Sequence, residues 1–214
     1  IQLRDGTGRV QVVCSLADVG EETYAHLREL TIESSLIVAG KVVRDDRAPS
    51  GVEVHARAAR ILSLAQEYPL QKKEHGVDFL LANRHLWLRS PRQEAIMRVR
   101  AVVERAIAEY FDSRGYVRLD APILTPAAAE GAATLFDVDY FGEKAYLSQS
   151  GQLYMEAGAY ALGRVYCAGP TFRAEKSKTR RHVMEFWMVE PEAAFLDHDG
   201  NVELAEGLIT AIIA

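Results

Sequence analysis

The chain has 214 residues, 49% of them hydrophobic and 26% charged, which gives room for two modest globular domains or one large one. A net charge of −5 excludes a protein that holds nucleic acid by bulk charge alone, although a local basic loop on an acidic body can still meet RNA. Cys14 and Cys167, the only cysteines, exclude a disulfide framework or a zinc knuckle and read as small buried hydrophobes in a reducing compartment.

Residues 1–65 read as mostly β. Strand-like runs at 1–3 and 10–14 flank Asp5 and Gly6, a dipeptide that signals a hairpin. Residues 21–30 have helical spacing, with Tyr24, Leu27 and Leu30 along one side. Residues 36–43 form a strand candidate, 48–51 a turn, and 52–64 a further strand with Val54, Ala56 and Ala58 on one side. Short strands with one small helix suit a five-stranded OB-type β-barrel lacking its first strand. Such a barrel is a common oligonucleotide surface, and it can equally serve packing alone.

Residues 66–90 read as a linker, where Pro69, Gly76 and the charges Lys72, Lys73 and Glu74 break the periodicity. Ser90 and Pro91 look like a helix start, with Ser as cap and Pro at the first position. Ile96, Val99, Val103, Ile107 and Tyr110 then recur at spacings of three and four, an apolar stripe on a helix that Gly115 ends. Extended segments at 116–119 and 121–124 follow, interrupted by Pro122. The chain opens at Ile1 rather than Met, in strand-like sequence, and closes on the apolar helical pattern of 208–213 without a stop signal. We therefore expect an internal piece of a longer protein. No apolar run approaches a membrane span and no basic-then-apolar leader is present, so the expected location is the cytoplasm.

The most informative stretch is residues 169–195. It reads as a strand ending in Phe172, Arg173, Ala174 and Glu175, then a turn carrying Lys176, Lys178, Arg180 and Arg181, then a second strand that runs apolar from Val183 to Val189. Two readings are open from the residues alone. One is a solvated hairpin of mixed charge. The other is a grip on a polyanion such as a nucleoside triphosphate, with an Arg fork binding phosphate bidentately.

The order of residues resembles motif 2 of the class II aminoacyl-tRNA synthetases, within their aspartate/asparagine/lysine subgroup. The matching runs are FRAE at 172–175, TRRH at 179–182, EFWMVEPE at 185–192 and SQSGQLYMEA at 148–157. The likeness extends weakly into the N-terminal region and favours the asparagine-charging members. It implies an α+β protein: an incomplete OB-type anticodon-binding barrel at 1–65, a linker at 66–90, and at 91–214 the N-terminal portion of an antiparallel-sheet catalytic domain. The long helix and the strand with Pro122 resemble motif 1, which implies a homodimer. The glycine-rich motif 3 is absent, so this stretch alone is expected to be impaired.

The implied reaction is ATP-dependent activation of asparagine to asparaginyl-adenylate and transfer to tRNA(Asn). No protein nucleophile is needed, because positioning and charge stabilisation suffice. The resemblance gives Arg173 the catalytic role at the α-phosphate and substrate carboxylate. It gives Glu175, His182 and Phe186 contacts to the rest of ATP, Phe186 by stacking on adenine. Glu130, Ser150, Gln152 and Glu190 would receive the amino acid, with Gly131 as a hinge beside Glu130. Gln11 matches a base-reading glutamine, and Ser177, Lys178 and Thr179 lie where the acceptor end of tRNA would approach. The His residues show no metal-ligand spacing, and magnesium ligands are expected outside this stretch.

Substrate choice turns on two positions. Aspartate-specific members generally carry Lys where Met155 stands and Asp where Glu190 stands. Glu190 accepts hydrogen bonds and repels a second carboxylate, so it favours an amide NH2; without the resemblance it could instead be a structural ion pair with a loop arginine. Three rivals remain: an aspartate enzyme of relaxed tRNA choice, a tRNA-independent asparagine-synthetase-like paralogue, and a non-catalytic OB-type nucleic-acid-binding module.

Overall fold

Alternating apolar and polar residues build the first sheet. Strands β1 (Gln2–Arg4) and β2 (Arg9–Val13) pair antiparallel, with Gln2 opposite Gln11. The turn between them is organised by Asp5, whose carboxylate accepts from the Thr7 and Gly8 amides at 2.8 and 3.2 Å and from the Thr7 hydroxyl at 2.6 Å. The structure is a computed structural model; it describes every residue except Glu130, Ala132, Ala133, Ser177, Lys178 and Arg180. It divides into two units, Ile1–Ser90 and Pro91–Ala214.

In the first unit a short helix α1 (Leu16–Val19) follows β2, capped by the Ser15 hydroxyl, and α2 (Glu21–Arg28) follows it. The helical spacing of residues 21–30 predicts α2, whereas the four residues of α1 carry no such spacing. Strands β3 (Ser35–Arg44) and β4 (Val52–Ser63) pair antiparallel, and β2 runs parallel to β4, giving the order β1-β2-β4-β3. The result is an open four-stranded sheet, in keeping with an incomplete barrel. Val12, Val19, Leu27 and Ala56 form its buried core, packed by Leu3, Val54, Ala59 and Ile61.

Register corrects one expectation. Ala39 faces Ala58 whereas Gly40 faces Ala56, so Arg57 is an extra residue in β4. Beyond this bulge the inward side switches parity: Ala59 and Ile61 reach the core and Ala58 is exposed. Gly40 is required here by space, since a Cβ would overlap the carbonyl oxygen of His55.

The segment read as a linker contains two short helices, α3 (Val77–Ala82) and α4 (Arg84–Trp87). Just after them Arg89 donates to Glu33 Oε2 at 2.8 Å, and Arg4 donates to the same oxygen at 2.6 Å. Burial acts to raise the Glu33 carboxyl, but the hydrogen bonds and charges of Arg89 and Arg4 outweigh it and hold it below its ordinary value.

The second unit is built on helix α5 (Pro91–Asp112). Gly115, at φ +75, lets the chain reverse, and the Tyr116 amide returns to the Phe111 carbonyl at 3.1 Å. Strand β5 (Val117–Arg118) then adds parallel to β9 (Arg164–Phe172), which pairs antiparallel with β10 (Glu185–Ala193). A second small sheet holds β6 (Leu124–Thr125), β7 (Asp137–Tyr140) and β8 (Glu143–Leu147) in the order β6-β8-β7. Helix α6 (Gln152–Leu162) packs on β9 and β10, and α7 (His198–Ile213), capped by Asp197, packs on α5.

Tyr110, Phe111, Tyr116 and Tyr166 make an aromatic core between α5, α7 and the β9–β10 sheet. Two of its hydroxyls have partners: Tyr110 donates to the Leu204 carbonyl at 2.8 Å and Tyr166 to Asp112 at 3.1 Å. The apolar stripe on α5 is buried only in its C-terminal half. Ile107 and Tyr110 join the core, whereas Ile96 and Val99 are exposed, Val99 at 63%.

Candidate active site

The β9–β10 ladder fixes which side chains share a face. Glu190 lies opposite Cys167, Met188 opposite Gly169 and Phe186 opposite Thr171. Because a strand alternates every second residue, these six positions lie on one side of the sheet, five of them with side chains and Gly169 bare. Tyr166 and Val189 point to the other side, into the core under α5 and α7. Between Phe186 and Glu190 the strand advances about 13 Å, the span of an extended small-molecule site. The middle of this face is open, since a Cβ on Gly169 would meet nothing within 4 Å.

One end of the face is closed by α6. The Glu190 carboxylate accepts from the Ser150 hydroxyl through Oε1, and from the Gly151 amide at 2.9 Å and the Cys167 thiol at 3.5 Å through Oε2. Thus the structural alternative for Glu190, an ion pair with a loop arginine, gives way to a carboxylate held by neutral donors. Burial, then the charge and hydrogen bond of Glu190, push the Cys167 thiol up to about 12. Met155, 1% exposed, packs behind Cys167 with Val165, Leu119, Ala121 and Ala159. Burial, together with the charges of Glu156 and Glu190, raises the Glu192 carboxyl.

The other end lies where β9 stops. β9 ends at Phe172, so Arg173 and Glu175 follow the strand, and β10 begins at Glu185 rather than at Val183. The backbone stays tied down past the strand end: Phe172 donates to the Ser148 carbonyl at 2.8 Å, Arg173 to Met184 at 2.9 Å and Ala174 to Thr134 at 2.8 Å. The Arg173 guanidinium sits 5.5 Å from the centroid of the Phe186 ring, a cation–π contact. Glu175 and His182 meet at 3.4 Å across the loop. The four residues assigned to ATP therefore fall into two touching pairs.

The remaining candidates divide. Ser150 joins the Glu190 cluster. Gln152 does not join it through its side chain, which donates to Glu156 at 2.8 Å along the exposed face of α6, while its backbone amide donates to Ser150 Oγ at 3.0 Å. Gln11 lies on the polar side of the first sheet, where it donates to buried Glu53 at 2.9 Å; Glu53 also meets His55 Nε2 at 2.7 Å. Thr179 is exposed. Glu130, Ser177 and Lys178 lie outside the described residues; the neighbouring Gly131 has φ +96. No group of three or more His, Cys, Asp or Glu side chains able to hold a metal occurs among the described residues.

Three contributors were not singled out from the sequence. Gln149, 2% exposed, donates to the Gly131 carbonyl at 3.1 Å and Thr134 Oγ1 at 2.7 Å, tying both residues to the turn between β8 and α6. Cys167 and Gly151 touch Glu190. The signal for Cys167 is strand register, which becomes visible only once Phe172 is paired with Glu185.

Comparison with known proteins places these features in a family. The profile described as tRNA synthetases class II (D, K and N) matches residues 76–214, and that of an OB-fold nucleic acid binding domain matches residues 1–62. The asparagine–tRNA ligase of Pelotomaculum thermopropionicum is 55% identical over 211 residues, covering 99% of this chain and 49% of the relative. That of Sorangium cellulosum is 55% identical over 214 residues, covering 100% and 48%. The crystal structure of asparaginyl-tRNA synthetase from Pyrococcus horikoshii complexed with asparaginyl-adenylate matches with a TM-score of 0.94 at 42% identity, over 99% of this chain and 49% of that one. The chain thus spans about half the length of the relatives it matches.

Proposed function

We infer, from the premise that this chain belongs to the class II tRNA synthetases of the D, K and N family, that its activity is that of an asparagine–tRNA ligase. The α-carboxylate of asparagine attacks the α-phosphorus of ATP, giving asparaginyl-adenylate and pyrophosphate. A ribose hydroxyl at the end of tRNA(Asn) then attacks the activated carbonyl and AMP leaves. Arg173 neutralises charge on the α-phosphate and orients the attacking carboxylate. Phe186 offers its ring to adenine, and Glu175 and His182 hold the remaining parts of ATP. Glu190 and Ser150 face the side-chain amide, with Glu130 as a further amino-acid contact; Gln152 would join them only by turning its side chain away from Glu156.

The observation that carries this reading is the Glu190 carboxylate, held by the Ser150 hydroxyl and the Gly151 amide on the face that also bears Phe186. An acceptor-only group fixed there suits an amide NH2 and repels the carboxylate of aspartate. Met155, buried where aspartate-specific members place a lysine, adds no cation to reverse that preference. The identity of 53–55% to asparagine–tRNA ligases supports the same choice.

For the partners, residues 1–65 would bind the anticodon, with Gln11 as a base contact, residues 66–90 would link, and residues 91–214 would carry activation. Ser177, Lys178 and Thr179 would meet the acceptor end. The exposed Ile96 and Val99 on α5 support a homodimer through that helix. Magnesium would accompany ATP, with its ligands outside this stretch; the described residues supply no cluster for it. Among the described residues no helix is long and apolar enough to cross a membrane; the compartment we propose is the cytoplasm.

The test is ATP–pyrophosphate exchange by the full-length protein with asparagine and aspartate in parallel. Dependence on asparagine is expected. Dependence on aspartate would keep the chemistry and overturn the specificity. Exchange with neither would favour a binding-only module.

A further inference from the structure

We propose that Cys167 and Gly151 form a positioning pair that sets where the Glu190 carboxylate stands, and so sets the preference for an amide side chain; this rests on the asparagine reading above. The geometry is a three-donor cradle. Glu190 Oε2 takes two donors, the Gly151 amide at 2.9 Å and the Cys167 thiol at 3.5 Å, while Oε1 takes the Ser150 hydroxyl. A carboxylate oxygen offers about two acceptor positions. Oε2 is therefore filled and Oε1 keeps one position, which leaves a single direction from which a substrate NH2 is received.

Both members of the pair are constrained by space. Gly151 has φ −82 and ψ −4, a conformation open to any residue, so its backbone does not require glycine. The requirement comes from its surroundings. A Cβ at 151 would stand 2.5 Å from Cys167 Sγ, 3.2 Å from Glu190 Oε2 and 3.3 Å from Ala121 Cβ. Only a residue without a side chain brings its amide to the carboxylate and leaves room for the thiol.

Cys167 lies directly across the ladder from Glu190, on the same face. Its thiol, buried and pushed up by the neighbouring carboxylate, stays protonated at neutral pH and so remains a donor. It adds no second negative charge beside Glu190. Met155 and Val165 pack against it from behind, which fixes the direction in which the sulfur points.

The test uses the full-length protein and pyrophosphate exchange, varying asparagine at saturating ATP and ATP at saturating asparagine. Cys167→Ala removes the donor without adding volume. We expect KM for asparagine to rise about tenfold, the loss of one hydrogen bond to a charged acceptor, with KM for ATP within about twofold of wild type. Cys167→Ser, which keeps a donor, returns KM for asparagine toward the wild-type value. Gly151→Ala, crowding the same sulfur and oxygen, raises that KM at least as far.

A Cys167→Ala protein with wild-type KM for asparagine overturns the pair's role while leaving the asparagine reading standing. So does a parallel rise in both KM values. A wild-type protein driven by aspartate, or by neither amino acid, overturns the asparagine reading and the pair's role with it. Should Cys167→Ala fail to fold, an unchanged KM in Gly151→Ala overturns the proposal by itself.

Discussion

The two ends of the β9–β10 face are built differently. At the Glu190 end the functional group is a short carboxylate enclosed by α6, with its donors drawn from buried residues and a buried methionine behind them. At the Arg173 end three long side chains, Arg173, Glu175 and His182, stand on segments beyond the strand ends, Arg173 in cation–π contact with Phe186 of β10 and Glu175 meeting His182 at 3.4 Å. The contrast fits what the proposed function asks of each end. Discriminating an amide from a carboxylate needs a fixed acceptor whose alternatives are excluded, whereas neutralising phosphate needs charge that can reach.

The largest expected effect tests the open end. Arg173→Ala in the full-length protein should slow asparagine-dependent exchange about 100- to 1000-fold, as for removal of a preorganised contact to developing charge, and should leave the melting temperature near wild type. A loss of stability as large as the loss of rate would erase the contrast between the two ends.

At the closed end the prediction reverses. Met155→Ala removes a fully buried side chain from a packed cluster and should cost about 2–4 kcal/mol of stability in denaturant unfolding. Its effect on KM for asparagine should exceed that on KM for ATP. Glu190→Gln keeps the shape but turns an acceptor pair into an acceptor and a donor. It should raise KM for asparagine about 30-fold, a cost of about 2 kcal/mol, and narrow the ratio of asparagine to aspartate use. An unchanged ratio would mean that selection resides elsewhere.

The smallest effect asks whether the same logic, a carboxylate fixed by donors, holds away from the site. Glu33 is gripped by Arg4 and Arg89 and its folded pKa lies below the ordinary 4.5. A depressed folded value means the stabilisation is present above the unfolded pKa and is lost as pH falls through the folded one. Unfolding curves collected from pH 6 down to about pH 3 should show that loss in the wild type and a flatter dependence in Glu33→Gln. At neutral pH the substitution should cost about 1 kcal/mol, a modest figure because both arginines are partly in solvent.

Much of this was legible in the chain itself. The order Phe172-Arg173-Ala174-Glu175, the later Glu185-Phe186 and the Ser150-Gly151 run carry the site because they are contiguous strings, and the Gly115 stop and the 5–6 turn carry their own local chemistry. What stayed hidden depended on pairing. Cys167 is only a small apolar residue until register places it against Glu190. Gln152 is in the right string, but the helix turns its amide toward Glu156. The α5 stripe reads as uniformly amphipathic, yet Ile96 and Val99 find no cover from α7 because the aromatic core sits at the other end. Helix α1 stays hidden because four residues hold too little periodicity to show.

The extra residue at Arg57 has a consequence for how this protein tolerates change. Substituting Arg57 should matter little, since its side chain is exposed and it has no partner across the ladder. Deleting it should be absorbed as well: with Ala58 following Ala56 directly, simple alternation keeps Val54, Ala56, Ala59 and Ile61 on the inner side, and only the bulge is lost. What the sheet does not tolerate is losing the bulge while Arg57 is present, because a regular ladder would then bury Arg60 and turn Ile61 out to water.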